Sequence, residues 1–335
     1  MRNIFLTGGQ CIEKRTSPAP RPLVCDRMKK TGRRAARLKG KEGGRQAAAK
    51  NKMKDIAYYN GAITPMAEMT IPLMDRAVYF GDGIYDVIYV HNGIMFSPED
   101  HLDRLLTNCG LMRMDFDMPK QELRALLQSL IDQLDRDILH VNLYVQISRG
   151  TAPRSHAFPK PPCKANLLVF AHGFTPRADK PFYAITAPDK RFQFCNIKTI
   201  NLIPNILANQ ASKEAGAEEC IFIRDGFITE GSHSNVSILK DGVLITPPLS
   251  EWILPSITRK HLLQVCEKAG IPVVERPFTL QEMMDADEIM VGASLFLLQR
   301  VLKIDSQQAG GKDDARWKRI NGDYLKRFEE ETAPR

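Results

Sequence analysis

The sequence predicts an α+β fold, and three observations predict it. Turn signals such as His91-Asn92-Gly93, set between Val87-Ile88-Tyr89-Val90 and Ile94-Met95-Phe96, require antiparallel hairpins. Amphipathic helices with clear start signals are mixed with those hairpins, which argues against a sheet built only from βαβ units. No Gly-x-Gly-x-x-Gly opens a helix. Tyr79-Phe80-Gly81-Asp82-Gly83-Ile84-Tyr85 has only a Gly-x-Gly fragment and leads into a strand, so its glycines shape the backbone rather than cradle a dinucleotide. At 335 residues, 43% of them hydrophobic, the chain is long enough for two domains, or one large one, around a substantial core.

Between residues 56 and 96, short apolar runs are broken by turn signals and end in that hairpin. Ser97-Pro98-Glu99-Asp100 offers an N-cap hydroxyl, a proline at the first helical position and a reciprocal acid. Leu102, Leu105, Leu106 and Leu111 then recur at helical spacing. A second amphipathic helix is predicted over 119–135, with Leu123, Leu126, Leu127, Leu130 and Ile131 as its buried stripe, followed by strands at 139–148 and 166–171. Two prolines and several charged or hydroxylated residues break all periodicity at 173–181, which reads as a connector between a domain over 53–172 and a larger one over 182–335. In the second half a helix at 204–215 precedes a strand at 219–224 and an Asp225-Gly226 turn. Strands at 236–239 and 243–246 pair across Asp241-Gly242. Helices fit 257–269 and 280–285, the latter opened by a Thr279-x-x-Glu282 capping box, with a strand at 288–291 and a last helix around 316–331.

Charge is unevenly placed. The net +8 comes from residues 1–52, which hold fifteen Lys and Arg against three acids, whereas 53–335 hold 32 against 36. With few residues able to form a core, 1–52 is expected to be a disordered basic extension. Upstream sequence read through before a true start at Met53, a nucleic-acid-binding arm and an organelle transit peptide all fit such a tail, and the scarcity of serine weighs against the last. Outside that extension nothing points to nucleic acid. The cysteines at 11, 25, 109, 163, 195, 220 and 266 form no C-x-x-C pair and no closely spaced framework, so neither a metal site nor a disulfide scaffold is indicated. No apolar run approaches the ~18 residues of a membrane span, and a signal-peptide core is absent, so the cytoplasm is the expected compartment.

Two residues carry the first hint of chemistry: Lys198 in Ile197-Lys198-Thr199-Ile200-Asn201, and Glu230 in Thr229-Glu230-Gly231-Ser232-His233-Ser234-Asn235. A lysine amine can form a Schiff base with a carbonyl cofactor. A carboxylate beside a pyridine nitrogen keeps that nitrogen protonated, so the ring can take electrons from a substrate carbanion. Alone, each residue reads more readily as a surface charge. Ser256-Ile257-Thr258 stands just before a helix, where free N–H groups and the helix dipole favour an anion; capping by Ser256 is compatible with that role.

From about Met53 to Glu331 the chain resembles the fold-type IV pyridoxal phosphate enzymes, most closely the D-amino-acid aminotransferases. Five segments match in order: Arg76 to Asp86, His101-Leu102-Asp103-Arg104-Leu105, Ser148 to His156, Ile197 to Leu202, and Thr229 to Asn235. The resemblance implies two α/β domains with pyridoxal 5'-phosphate at their interface. It implies that Lys198 forms the Schiff base and shuttles the substrate's α-proton, that Glu230 pairs with the ring nitrogen, and that Arg104 anchors the phosphate, for which a guanidinium fork is suited. Ile257, Thr258 and Ser294 would assist at the phosphate. Here Val291-Gly292-Ala293-Ser294 departs from the family at Ala293, where a hydroxyl is usual.

For substrate, the resemblance points to Arg154 and His156, an R-x-H element reaching in from a partner subunit to clamp the α-carboxylate together with Tyr85. Tyr144 would line the same pocket, and Asp86 would orient Arg154. Branched-chain aminotransferases and aminodeoxychorismate lyases lack this element as a rule, so it favours D-amino acids. The implied activity is that of a homodimeric transaminase moving an amino group from a D-amino acid such as D-alanine to a 2-oxo acid such as 2-oxoglutarate by a ping-pong route. The rivals are an L-specific branched-chain aminotransferase or an aminodeoxychorismate lyase of the same fold and, from another class, a basic-tailed nucleic-acid-binding protein that has lost catalysis. His233 would order the loop facing the ring, while His91, His140, His172 and His261 have no evident partners in the sequence.

Overall fold

The computed structural model describes residues 52–177 and 180–334. The expectations for the basic extension 1–52 therefore lie outside the described residues, Lys52 excepted, as do Ala178 and Asp179 of the connector.

Six strands form the first sheet: β1 (Asp55–Tyr59), β2 (Ala62–Thr64), β3 (Gly83–His91), β4 (Ile94–Met95), β5 (His140–Ser148) and β6 (Asn166–Gly173). Their order is β2-β1-β6-β5-β3-β4, and every pairing is antiparallel. The predicted hairpin closes with His91 opposite Ile94. Asn92 and Gly93 both take positive φ, 54° and 76°, which matches the right-handed twist of the strands it joins. Helices α1 (Arg76–Phe80), α2 (Pro98–Leu111) and α3 (Lys120–Ile131) belong to this part. Leu102 and Leu105 of α2 and Leu123, Leu127 and Leu130 of α3 are buried against Ile84, Ile88, Leu143, Val145 and Val169 of the sheet, as their spacing predicts, whereas Leu111 at the end of α2 is exposed.

The second sheet holds nine strands: β7 (Phe182–Pro188), β8 (Glu219–Arg224), β9 (Phe227–Gly231), β10 (Asn235–Lys240), β11 (Val243–Thr246), β12 (Val273–Glu275), β13 (Glu288–Ala293), β14 (Leu297–Ile304) and β15 (Gln307–Gln308). The order is β12-β11-β10-β13-β14-β7-β8-β9, with β15 paired to β14. Three pairings are parallel, β11 with β12, β14 with β7 and β7 with β8. Helices α4 (Ile203–Glu214), α5 (Ile257–Lys268), α6 (Leu280–Asp285) and α7 (Asp314–Glu331) complete it. Leu262, Val265 and Cys266 of α5 and Ile320, Tyr324 and Phe328 of α7 pack with Tyr89 and Phe96, so one core cluster runs from this sheet to the first.

Thr279 caps α6 as expected, its hydroxyl accepting from the Glu282 N–H at 3.2 Å. Ser97 does not cap α2. It sits in the left-handed region at φ 45°, and its hydroxyl donates to Glu331 Oε2 of α7 at 2.6 Å, so a tertiary partner has taken the group that local sequence assigned to the helix start.

Candidate active site

Residues from both sheets line one cavity of about 960 Å³. On its wall the Lys198 segment runs beside the start of β3. Tyr85 N–H donates to Lys198 C=O at 2.9 Å, Ile200 N–H donates to Gly83 C=O at 3.2 Å, and Asn201 Nδ2 holds Gly81 C=O at 2.8 Å. This extra strand-like contact sets the Lys198 ammonium over the Tyr85 ring, 4.5 Å from its centroid. Tyr144 stacks behind Tyr85 at 5.4 Å and is not itself part of the wall.

Arg104, on α2, is fixed before any ligand arrives. Its Nε and Nη2 donate to the two oxygens of Asp86, at 2.8 and 2.7 Å, and Nη1 donates to Pro255 C=O at 3.0 Å. Asp86 is 1% exposed and also meets His101 Nδ1 at 2.8 Å. Burial opposes its ionisation, but Arg104 and His101 together hold it well below the usual carboxylate range. Asp86 therefore orients Arg104, not Arg154, because α2 packs on β3 and brings its arginine and histidine directly over that strand.

The bond to Pro255 C=O ties Arg104 to the start of α5. There Ser256 accepts from Arg259 N–H at 3.3 Å, and the N–H groups of Ile257 and Thr258 have no partner among the described residues. Gly292 lets β13 pass close to this helix start: a Cβ on it would stand 2.5 Å from Thr258 Cγ2. Ser256, Gly292, Ala293 and Ser294 are on the wall, whereas the side chains of Ile257 and Thr258 are buried behind it.

Glu230 is held from three sides. Arg191 Nη1 donates to Oε1, while Asn235 Nδ2 and Leu254 N–H donate to Oε2 at 2.9 and 3.0 Å. Arg191 is bound in turn by Asp189, whose side chain is buried, at 2.7 Å. Burial pushes the Glu230 carboxyl above the ordinary carboxylate range, against the pull of Arg191, the Leu254 N–H and Lys198. Burial also works against the Arg191 charge, yet Asp189 and Glu230 raise its proton affinity above the ordinary value.

The cavity thus brings together Tyr85, Arg104, His156, Lys198, Glu230 and Ser294. Arg154 stays off the wall and exposed, its guanidinium 4.8 Å over the Phe80 ring, which also meets His156 at 5.1 Å. Sequence reasoning missed Arg191, Asp189 and the Asp82 bridge, although Asp82, Arg76 and Arg149 all lie in segments it singled out. Asp82 takes Arg76 Nε at 2.7 Å and Arg149 Nε at 2.8 Å, and these two partners outweigh burial to lower its pKa. Asp189-Lys190-Arg191 offered only a charge cluster as a signal. His261, partnerless in the sequence, meets Asp100 at 3.0 Å, and His91 stacks on His140 at 4.7 Å.

Residues 83–304 match the family model of amino-transferase class IV. D-alanine aminotransferase of Bacillus licheniformis is 36% identical over 259 residues, 75% of this chain and 89% of that protein. Two solved folds are alike at lower identity. The branched-chain amino acid aminotransferase of Escherichia coli has a TM-score of 0.76 at 22% identity, over 84% of this chain and 97% of its own. The branched-chain aminotransferase from the thermophilic archaeon Thermoproteus uzoniensis, solved with norvaline, has 0.74 at 21%, over 84% and 97%.

The chain belongs to the class IV amino-transferase family. It is a transaminase of the class that works with pyridoxal phosphate, and the donor set suits that cofactor. A held guanidinium and two free helix N–H groups match a phosphate, an amine matches an aldehyde, and a carboxyl with raised proton affinity matches a ring nitrogen that shares a proton.

Proposed function

We propose that this protein is a D-amino-acid aminotransferase that moves the amino group of D-alanine or another D-amino acid to 2-oxoglutarate or another 2-oxo acid. The observation that carries the reading is the meeting of Lys198, Glu230, Arg104 and His156 on one cavity wall. When bound, pyridoxal phosphate supplies an aldehyde that captures amino groups and a ring that draws electrons from the α-carbon. Arg104, Ser294 and the N–H groups of Ile257 and Thr258 would hold the phosphate. Glu230 would keep a proton at the ring nitrogen. Lys198 Nζ would anchor the aldehyde and carry the α-proton, giving one back in the reverse half-reaction. Tyr85, with Arg154 and His156, fixes the α-carboxylate, and that grip selects which face of the α-carbon meets Lys198. Tyr144 backs Tyr85 in the same role.

A second copy of the chain completes the reading, with Arg154 serving the partner's cavity, whereas His156, expected to cross with it, lines the cavity of its own chain. Ile203, Ile206 and Leu207 of α4 are 63–67% exposed, and Ile206 is on the cavity wall, an apolar face suited to a partner. The sheets correspond to two domains joined across residues 173–181.

Purified protein assayed with D-alanine or L-leucine and 2-oxoglutarate tests the substrate: turnover of D-alanine is expected, and turnover of L-leucine alone overturns it. Borohydride reduction followed by peptide mass spectrometry should find the cofactor on Lys198. Mixing inactive Lys198→Ala with inactive Arg154→Ala should restore partial activity, and no recovery would place Arg154 in its own chain's site or in none.

A further inference from the structure

Arg76 is a cavity-wall cation to which the proposed reaction assigns no task. It opens α1, is 3% exposed, and donates from Nε to Asp82 Oδ2 at 2.7 Å. Charge balance alone does not account for it. Arg149 already gives Asp82 a bidentate pair, Nε to Oδ2 at 2.8 Å and Nη2 to Oδ1 at 3.0 Å, so the acid has a counter-charge without Arg76. What Arg76 adds is a second bond: its Nη1 donates to Ser155 C=O at 2.7 Å. Ser155 is the middle residue of Arg154-Ser155-His156, the element given above to the substrate α-carboxylate.

That element has little else to hold it. Residues 153–158 are all exposed, and no helix or strand includes them. From 153 to 160, the bond from Arg76 is the only hydrogen bond that backbone or side chain makes among the described residues. The remaining contacts are with ring faces, which set no single position: Arg154 lies over Phe80 at 4.8 Å, His156 meets the same ring at 5.1 Å, and Arg149 covers Phe158 at 3.8 Å. Tyr79 ties the chain down only before the element, donating to Ala152 C=O at 2.7 Å. A directional bond at Ser155 acts on both binding side chains at once, because each belongs to a neighbour of that residue.

We propose that Arg76, aimed by Asp82, is the positioning residue of the Arg154-x-His156 element and acts on the substrate only through it; this rests on the carboxylate role given above to Arg154 and His156. The fixed point is Asp82, locked by Arg149 just after β5. From it Arg76 reaches out of the buried wall to the exposed loop. Without that bond the loop must be ordered anew each time a carboxylate binds, and affinity for the carboxylate falls. The groups proposed to hold the cofactor, Lys198, Glu230 and Arg104, are untouched.

The test follows the half-reaction of full-length protein, loaded with pyridoxal phosphate, with D-alanine, read through the visible absorbance of the cofactor. Arg76→Met should raise the half-saturating D-alanine concentration about tenfold, the weight of one hydrogen bond from a charged group, with affinity for pyridoxal phosphate changed less than about twofold. Arg76→Lys, which can reach Asp82 or Ser155 but not both, should shift it the same way by less, and serves if the methionine variant does not match wild type by circular dichroism. In an Arg154→Ala, His156→Ala background, Arg76→Met should lower the rate at low D-alanine by at most about twofold, because its effect passes through side chains already removed. An undiminished effect in that background means that Arg76 meets the substrate directly, and an equal loss of cofactor affinity means a general structural role. Either result overturns the proposal, as does wild-type D-alanine dependence in Arg76→Met. Wild-type dependence in the Arg154→Ala, His156→Ala protein itself would instead overturn the carboxylate reading beneath it.

Discussion

The two sheets use the same device, a buried carboxylate bound to an arginine, for opposite ends. In the first, Asp86 takes both sides of the Arg104 guanidinium and aims it at the start of α5, the place proposed for the phosphate. In the second, Arg191, Asn235 and the Leu254 N–H steady Glu230, the carboxyl proposed to face the ring nitrogen. The balance of forces differs accordingly. Asp86 has the Arg104 guanidinium and the His101 ring as partners, which overcome burial and hold its pKa low. Glu230 shares its arginine with Asp189, and burial leaves it more ready to take a proton. The first carboxylate is held charged by its partners, whereas burial raises the proton affinity of the second.

The largest effects should come from breaking either support. Asp86→Asn takes the acid away from the buried Arg104 guanidinium, and Arg191→Met leaves Glu230 without its arginine and Asp189 with Arg224 alone. Each should cost about 3–5 kcal/mol of stability, read by chemical denaturation. The comparison predicts different secondary effects. Asp86→Asn should chiefly weaken cofactor binding, and Arg191→Met should chiefly change the spectrum of the bound cofactor. The reverse pattern would mean that the two walls are not specialised.

Acid should sharpen the same contrast at a smaller scale. His261, buried against Asp100 with Nδ1 unpartnered among the described residues, has its pKa driven by burial from 6.5 down to about 4. On acidification the unfolded chain takes that proton first, so stability falls between about pH 6.5 and 4, by up to roughly 3 kcal/mol. Asp100 acts with the same sign: burial opposes its ionisation, but Lys260 and His261 depress its pKa, and that stability is lost as pH falls. Glu230 has the opposite sign, because a raised carboxyl takes its proton first in the folded state. His261→Gln should flatten the acid limb of a stability-against-pH curve, and an unchanged curve would remove the α2–α5 contact as its cause.

The smallest effects lie away from the cavity. Thr279→Ala should lose about 1 kcal/mol as a helix cap. Ser97→Ala should lose about as much through its bond to Glu331. In a Glu331→Gln background the Ser97 effect should shrink while that of Thr279 persists, a double-mutant result that distinguishes a tertiary tie from a cap.

Much of this architecture was legible in the chain. The Asn92-Gly93 hairpin, the stripes of α2 and α3, the Thr279 cap and most second-half elements follow from local periodicity and turn chemistry. Two central strands were not legible. β7 and β14 pair in parallel with segments far away in sequence, and Phe182–Pro188 and Leu297–Ile304 carry no hairpin or capping signal of their own. At the site, Lys198, Glu230 and Arg104 stood out through the ordered motifs around them. Arg191 did not, since its meaning lies in a carboxylate 39 positions away.

The sequence by itself determined the α+β class, the family and the principal residues that meet in the cavity, because turn residues, helical spacing and motif order are written locally. Only the tertiary structure decided which partner each charged group keeps. Asp86 went to Arg104 instead of Arg154, Ser97 to Glu331 instead of its own helix, and Glu219 to a place behind His233. Burial forces every charge to find the nearest counter-charge, and which one is nearest is settled by how strands and helices stack, not by their order in the chain.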